Sequence, residues 1–403
     1  MKSPPNILWI VTTQWRAQAC GYAVDPNART PFLDVLAAQS VNYAQAVTPH
    51  PFGPMARAAL LTGDESPANG VRDYFDALPN GARTIAHEMK ERGYATAFFG
   101  KWGVGKRNKS VPLVGEEAAK VMVPEGERGG FEFWEGFEGG FQINDPWLHG
   151  SMWTEPRRFP GYQSEVVVRN AISWFDVVRN GAQPWFGVVS LEAPHPPYDA
   201  PAASVTSRDP ASLVLRENVP TAGDSAAKAR KELAGYYAHI EATDRAIGRI
   251  LLPEVKRENT IVVFTSVHGD MHGAHGLFRK GWPYEESVRV PLLVRAPGVS
   301  ARTDDTPVSL VDLPGMTVGW AEGKASAFID RRYSRISMPS VVALPHQCDR
   351  VWRGVRTATR KLVLNDDGTP WLFFDLERDP LEQTNLVAEP ARADEIANLA
   401  ARL

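Results

Sequence analysis

Three histidines, His268, His272 and His275, follow one another with the spacing H-x3-H-x2-H. On a helix that spacing would present three imidazoles on one face, a set that suits zinc. Gly269, Gly273 and Gly276 interleave them, which argues for a loop and leaves zinc as the alternative. His268 comes two residues after the end of the apolar run TIVVFTS at 260–266. An imidazole titrates near neutral pH, so His268 is the first candidate for general acid–base work, and His195 in APHPPY the second. His50, His87, His239 and His346 stand in no motif, and packing or surface roles suffice for them. The chain has two cysteines, Cys20 and Cys348, too few for a disulfide framework or a cysteine zinc site.

These residues need elements to hold them. Strand-like and helix-like segments alternate. Residues 6–12 read as a buried strand and 31–40 as a helix capped by Thr30. A helix over 83–92 ends at Gly93, and Tyr94–Gly100 follows as a strand. The pattern continues with a helix at 163–179, a strand at 185–191, a long amphipathic helix at 225–251, and strands at 260–266 and 290–295. Short apolar strands between helices predict an α/β fold, a large, mostly parallel mixed sheet sandwiched by helices. In such sheets ligands bind beyond the carboxyl ends of the strands, which directs attention to 12–16, 101–105, 192–198 and 267–280. After a catalytic-type domain over 1–335, a small α+β subdomain over 336–403 is expected. It would carry antiparallel strands at 351–364 and 371–376 and a terminal helix at 389–402.

The 403 residues carry 44 Lys+Arg against 47 Asp+Glu, a net charge of −3 that supplies no global field for nucleic acid or a membrane surface. The apolar run after Pro4-Pro5 is too short for a signal peptide, and no stretch approaches the ~18 apolar residues of a membrane span. A cytoplasmic protein with no nucleic-acid or membrane partner is the expectation; oligomeric state stays open. The Gly-rich stretch 129–140 lacks the strand–helix setting of a dinucleotide loop, and no cofactor is expected. Its aromatic residues, with Trp147 and Trp153, read as a lid over the cleft or as ordinary loop packing. Of Lys101, Lys106, Arg107 and Lys109, all but Lys101 read as a solvated loop, and Glu285-Glu286 as structural.

Several motifs together carry a resemblance. PNILWIV followed by TTQWR, RTPFLDVLAAQSV, ARAALLTG at 56–63, RGYATAFFGKWG, APHPPY at 193–198, TIVVFTSVHGDMHGAHGL at 260–277 and KGWPYEESVRVPLLVRAPG at 280–298 occur in order. The chain resembles the type I sulfatases of the alkaline phosphatase superfamily, and FFDLERDPLEQTNL at 373–386 is similar to that family's small C-terminal subdomain. The resemblance implies a formylglycine nucleophile made from Cys or Ser in C/S-x-P-x-R, and a calcium-like ion held by oxygen ligands from two strand ends.

Neither is present in the residues. Anchored on Arg57, the nucleophile position is Gly53 and the proline position Met55; a shift that matches Pro54 puts Phe52 there instead. No thiol or hydroxyl exists to be converted. Thr13-Gln14 stands for the family's Asp-Asp or Asp-Gln, Val267-His268 for Asp-Asn or Asp-His, and Gly103 for the histidine of GKWHxG. A hard dication wants about six oxygen ligands, carboxylates prominent among them. The metal site therefore reads as lost; a site rebuilt from Asp270, Asp73 or the His268/His272/His275 cluster is the alternative. The resemblance also implies that in ordinary sulfatases only the first of those histidines reaches the metal.

Arg57, Lys101, His195, His268 and Lys280 still match positions that surround the sulfate group in the family. With the metal carboxylates gone, the resemblance implies an electropositive cleft suited to a small anionic substrate. For Arg57, bracing a loop competes with binding an anion. The leading expectation is a repurposed, metal-independent enzyme that uses His268 or His195 for proton transfer, in a proton transfer, an elimination or a group transfer. The alternatives are a non-catalytic pseudoenzyme that binds an anionic ligand or partner protein, and a residual sulfate or phosphate ester hydrolase.

Overall fold

The computed structural model of the protein describes residues 4–107, 110–179, 181–257, 259–324, 332–342 and 344–403. Ten strands build the main sheet: β1 (Asn6–Thr12), β2 (Val41–Tyr43), β3 (Ala95–Lys101), β4 (Phe133–Phe137), β5 (Trp147–Gly150), β6 (Arg157–Arg158), β7 (Trp185–Ser190), β8 (Thr260–Ser266), β9 (Leu292–Arg295) and β10 (Arg302–Asp304). Their order is β10-β2-β9-β8-β1-β7-β3-β4-β5-β6. The central run β8-β1-β7-β3-β4 is parallel, and β9 and β5 flank it antiparallel.

Strand β1 shows why both faces are covered. Ile7, Trp9 and Val11 enter one hydrophobic cluster, while Leu8 and Ile10 enter the other. Successive side chains on a strand point to opposite faces, so an unbroken apolar run needs a layer on each side. Among the described residues, the helices of seven or more residues are α1 (Pro31–Ala37), α2 (Gly53–Thr62), α3 (Ile85–Glu91), α4 (Gln163–Val178), α5 (Gly223–Val255), α6 (Leu313–Ala321) and α7 (Ala393–Ala400). Among the described residues, no helix is long and apolar enough to cross a membrane.

A second, antiparallel sheet joins β11 (Ser334–Met338), β12 (Trp352–Arg356), β13 (Arg360–Asn365) and β14 (Pro370–Asp375) in sequence order. A division between residues 335 and 336 falls inside its first strand. The expected single strand over 351–364 is two, because Thr357–Thr359 turns the chain and the Thr357 N–H donates to the Arg360 carbonyl at 2.8 Å. The terminal helix starts at Ala393, later than expected, after a 3₁₀ turn that begins with Pro390.

The aromatic stretch read as a lid or as loop packing is mostly sheet and core. Phe133–Phe137 is β4, paired in parallel with β3, and Phe131 and Trp134 are buried. Trp147 lies in β5, and Trp153 packs on Phe159. The Glu135 and Gly136 that interrupt the apolar pattern are tolerated because Glu135 accepts from Asn170 and Gly136 packs against Gly100 of β3. Glu285 and Glu286 are structural, as expected. Glu285 Oε2 pairs with Arg356 at 3.0 Å and its Oε1 with Lys361 at 2.8 Å, tying the main domain to the small sheet.

Candidate active site

Four parallel strands, β1, β3, β7 and β8, end at one cleft, and helix α2 starts there. Arg57, Lys101, His195, His268 and Lys280 all line a cavity of about 500 Å³ at this edge. His272 and His275 do not join them. His272 is buried between Tyr198 and Tyr236, and His275 stacks on Tyr284 with ring centroids 4.2 Å apart. The histidine triplet lies in a loop, where His272 and His275 take left-handed φ of 44° and 55°.

Arg57 is a brace. Its Nη1 donates to the Lys101 carbonyl (3.0 Å) and to Ser190 Oγ (2.7 Å), and its Nη2 to Thr13 Oγ1 (2.7 Å). Thr13, standing where the family has a carboxylate, thus anchors a guanidinium from α2 against the ends of β1 and β7. Gly103 is part of the same arrangement. It has φ +70°, and a Cβ there would lie 2.7 Å from Arg57 Cδ. Arg57 fills the space beside the position where the family has a histidine.

The electropositive cleft that the resemblance implies is corrected by two buried carboxylates, Glu192 and Glu138. Lys101 Nζ pairs with Glu192 at the end of β7. Arg107, expected in a solvated loop, pairs with buried Glu138 at 2.6 Å, and Lys106 lines the cavity; Lys109 lies outside the described residues. Burial lowers the Lys101 ammonium despite the partner. Phe141 covers this corner. It stacks on the His195 ring (centroids 4.6 Å apart, 7° between planes) and receives Lys101 Nζ over its face at 4.7 Å.

Lys280 holds the other side. Its Nζ donates to Gln14 Oε1 and, at 3.0 Å, to His195 Nε2. Burial pushes Lys280 down to about 7; Asp270 resists the shift and Lys101 adds to it. Gln14 reaches this position from a left-handed backbone (φ 66°), a conformation that costs about 1–3 kcal/mol for a non-glycine residue.

Both imidazole tautomers follow from carbonyl partners, which can only accept. His195 Nδ1 donates to the Pro196 carbonyl at 2.8 Å, so its Nε2 is the acceptor for Lys280. His268 Nδ1 donates to the Gly269 carbonyl at 2.9 Å, which leaves Nε2 with a lone pair. That Nε2 is buried and has no protein partner. Burial first, then the Lys280 charge, hold both rings well below the ordinary imidazole range. One imidazole thus binds Lys280 and the other, beside it, keeps an unpartnered nitrogen.

The residues do not fit the family's calcium-like ion. Gln14 Oε1, the oxygen a metal would need, accepts from an ammonium. Asp270, the proposed substitute ligand, is spent. Its Oδ2 accepts from Gln14 Nε2 and from Tyr198 OH, and its Oδ1 from the His272 and Arg279 N–H groups at 3.1 and 3.0 Å. Asp73 caps its own loop by accepting from the Phe75 and Asp76 N–H groups. Val267 is in the core. Among the described residues, no group of three or more His, Cys, Asp or Glu side chains could hold an ion. Elemental analysis after dialysis should therefore find well under one divalent ion per chain. Gly53 opens α2 with free space beside its Cα, so Gly53→Cys is sterically accepted. Coexpressed with a formylglycine-generating enzyme, that variant should still not hydrolyse a chromogenic aryl sulfate, because Met55 breaks the modification motif and Lys280 takes the metal's oxygen. Robust hydrolysis would show that the metal function survives.

Sequence reasoning missed Glu192, Asp270's full engagement and Phe141. Glu192 alone carried a signal, as a carboxylate at the carboxyl end of a predicted central strand.

Comparison with known proteins agrees with this architecture. The sulfatase family model matches residues 5–323. An ulvan-active sulfatase from Formosa agariphila is 32% identical over 416 residues, covering 96% of this chain and 78% of that protein. An arylsulfatase from Clostridium perfringens is 28% identical, covering 95% and 90% of the two chains. In structure, the sulfatase-like protein YidJ from Bacteroides fragilis superposes with a TM-score of 0.87 at 23% identity, over 100% of this chain and 95% of that one. A phosphonate monoester hydrolase from Agrobacterium radiobacter gives 0.74 at 20%, over 99% and 94%. These likenesses, the match over most of the chain and the ten-stranded sheet with its small antiparallel companion lead to one conclusion: the chain belongs to the sulfatase family.

Proposed function

We propose that the protein is a metal-independent enzyme that moves a proton on a small anionic substrate, with His268 as the general base. The observation that carries the reading is the unpartnered Nε2 of His268, a residue that lines the cavity, with its lone pair left free by the Nδ1 bond to Gly269. A buried base with a depressed pKa stays unprotonated at neutral pH, which is the form a proton acceptor needs. Lys280 is the complementary acid. Its ammonium has a third N–H beyond those given to Gln14 and His195, and the open N-terminus of the ten-residue helix α2 faces the same space. Arg57 positions Thr13 and the β7 end and does not bind the substrate. Lys101, offset by Glu192, contributes less to holding an anion than the resemblance implied.

Deuterium uptake tests the reading. In heavy water, the protein should catalyse exchange of the C–H next to the charged group in a panel of small carboxylates, sulfonates and phosphonates, read by NMR. Absence of exchange across the panel, with the ligands shown to bind, would favour the non-catalytic binding protein. That reading has its own support in the pairing of Lys101 with Glu192, which quiets one cation.

Binding of the anion carries a pH signature. Sulfate favours protonated Lys280, so its affinity should fall as pH rises through about 7, with proton uptake on binding above that pH. A charge-assisted hydrogen bond is worth about 1.5–3 kcal/mol, so Lys280→Ala should weaken sulfate binding roughly 10- to 100-fold and flatten the pH profile. Calorimetry in buffers of different ionisation enthalpy measures both; a wild-type affinity that ignores pH between 6 and 9 would remove Lys280 from the anion site.

A further inference from the structure

We infer that the substrate is an amphiphile, one anionic group attached to an apolar alkyl or aryl body, and not a sulfated sugar; the inference rests on the anion-binding floor proposed above. The cavity has two unlike parts. Its floor holds Lys280, His195 and His268. Its wall is apolar: Phe52, Val111, Leu113, Val114, Phe141 and Leu344 face the same space. Val114 is 64% exposed although its neighbours on the wall are largely covered, an unfilled apolar surface at the rim. The wall is a built feature, since the Val114 segment bridges to Gly140 and the Gly115 N–H donates to the Gly140 carbonyl at 3.0 Å, seating it beside Phe141.

Among the described residues, many of the polar side chains around this space are already committed to one another, Lys106 and Gln347 being exceptions. Glu138 takes Arg107 and the Gly105 N–H, Arg279 takes Glu232, and His346 takes Lys228. A hydroxyl-rich ring placed against the wall would give up its bonds to water and find few replacements, a loss comparable to leaving buried polar groups unpaired. An alkyl or aryl body gains from the same wall, by about fourfold in affinity for each methylene removed from water.

The test is a ladder of ligands with one head group: inorganic sulfate, then methyl, propyl and hexyl sulfate, then glucose 6-sulfate, each titrated by calorimetry. Affinity should climb about fourfold per methylene until the wall is covered, and hexyl sulfate should bind at least tenfold tighter than glucose 6-sulfate. The double variant Leu113→Asn, Val114→Asn should flatten the climb while keeping wild-type affinity for inorganic sulfate, which also reports that it folds. A flat ladder in the wild type, or tighter binding of glucose 6-sulfate, overturns the inference and leaves the anion floor standing. Failure of the floor itself looks different: no binding of inorganic sulfate, with neutral hexanol binding as well as hexyl sulfate. That result overturns the charged-head half of the inference together with the reading beneath it.

Discussion

His268→Gln is expected to lower catalysed proton exchange by roughly 10²–10⁴-fold, the usual worth of a general base. Glutamine is close in size, and its amide can still donate toward the Gly269 carbonyl, so the local fold should persist. What it lacks is a basic lone pair. The His268 ring is fully buried, and burial with the nearby Lys280 charge keeps it well below the ordinary imidazole value. The wild-type rate should therefore hold its level below pH 6.5, where a normal histidine would already be protonated and the rate would fall. His195 is a poor substitute, because its Nε2 already accepts from Lys280. A His268→Gln protein with full exchange activity would dismiss the base assignment.

The largest stability effect is expected away from the cleft. Glu285→Ala should destabilise the protein by about 3–5 kcal/mol, the cost of leaving buried partner charges uncompensated. Arg356 is 1% exposed and Lys361 0%, and both pair with Glu285; Lys361 also meets Glu382 at 2.7 Å. Burial works against the Glu285 carboxylate, yet Arg356 and Lys361 hold it well below the usual carboxylate range. A depressed carboxylate contributes stability above its unfolded pKa of about 4.5 and loses it as pH falls further. The variant's deficit in urea unfolding should accordingly be full at pH 7 and shrink in acid. A deficit below about 1 kcal/mol at pH 7 would mean that the small sheet is held by its apolar contacts alone.

The sheet was legible because β1 and β8 are written as unbroken apolar runs, and the predicted spans 6–12 and 260–266 are the observed strands. Strand β4 was hidden, since FWEGF breaks the apolar pattern with a glutamate whose partner, Asn170, is 35 residues away. The site residues were legible as a set: all five share one cavity. Their individual states were not. Whether Arg57 binds an anion or braces the β-strand ends depends on where Ser190 and Thr13 fall, and whether Lys101 is free depends on Glu192, 91 residues on. Pairings of that range come from the crossover of β3 and β7, which no local pattern encodes.

The contact between Arg57 and Gly103 also constrains which positions in the cleft can change. A side chain returned to position 103 would meet Arg57 Cδ at 2.7 Å, and Arg57 cannot move aside without leaving Thr13, Ser190 and the Lys101 carbonyl at once. Position 53, with nothing within 4 Å, accepts a new side chain freely. A side chain can thus enter at position 53 without strain, although Met55 would still break the modification motif, whereas a side chain at position 103 requires Arg57 and the left-handed backbone there to shift. The two vacated positions therefore differ in freedom: position 53 is open, while position 103 is coupled through Arg57 to the ends of three strands.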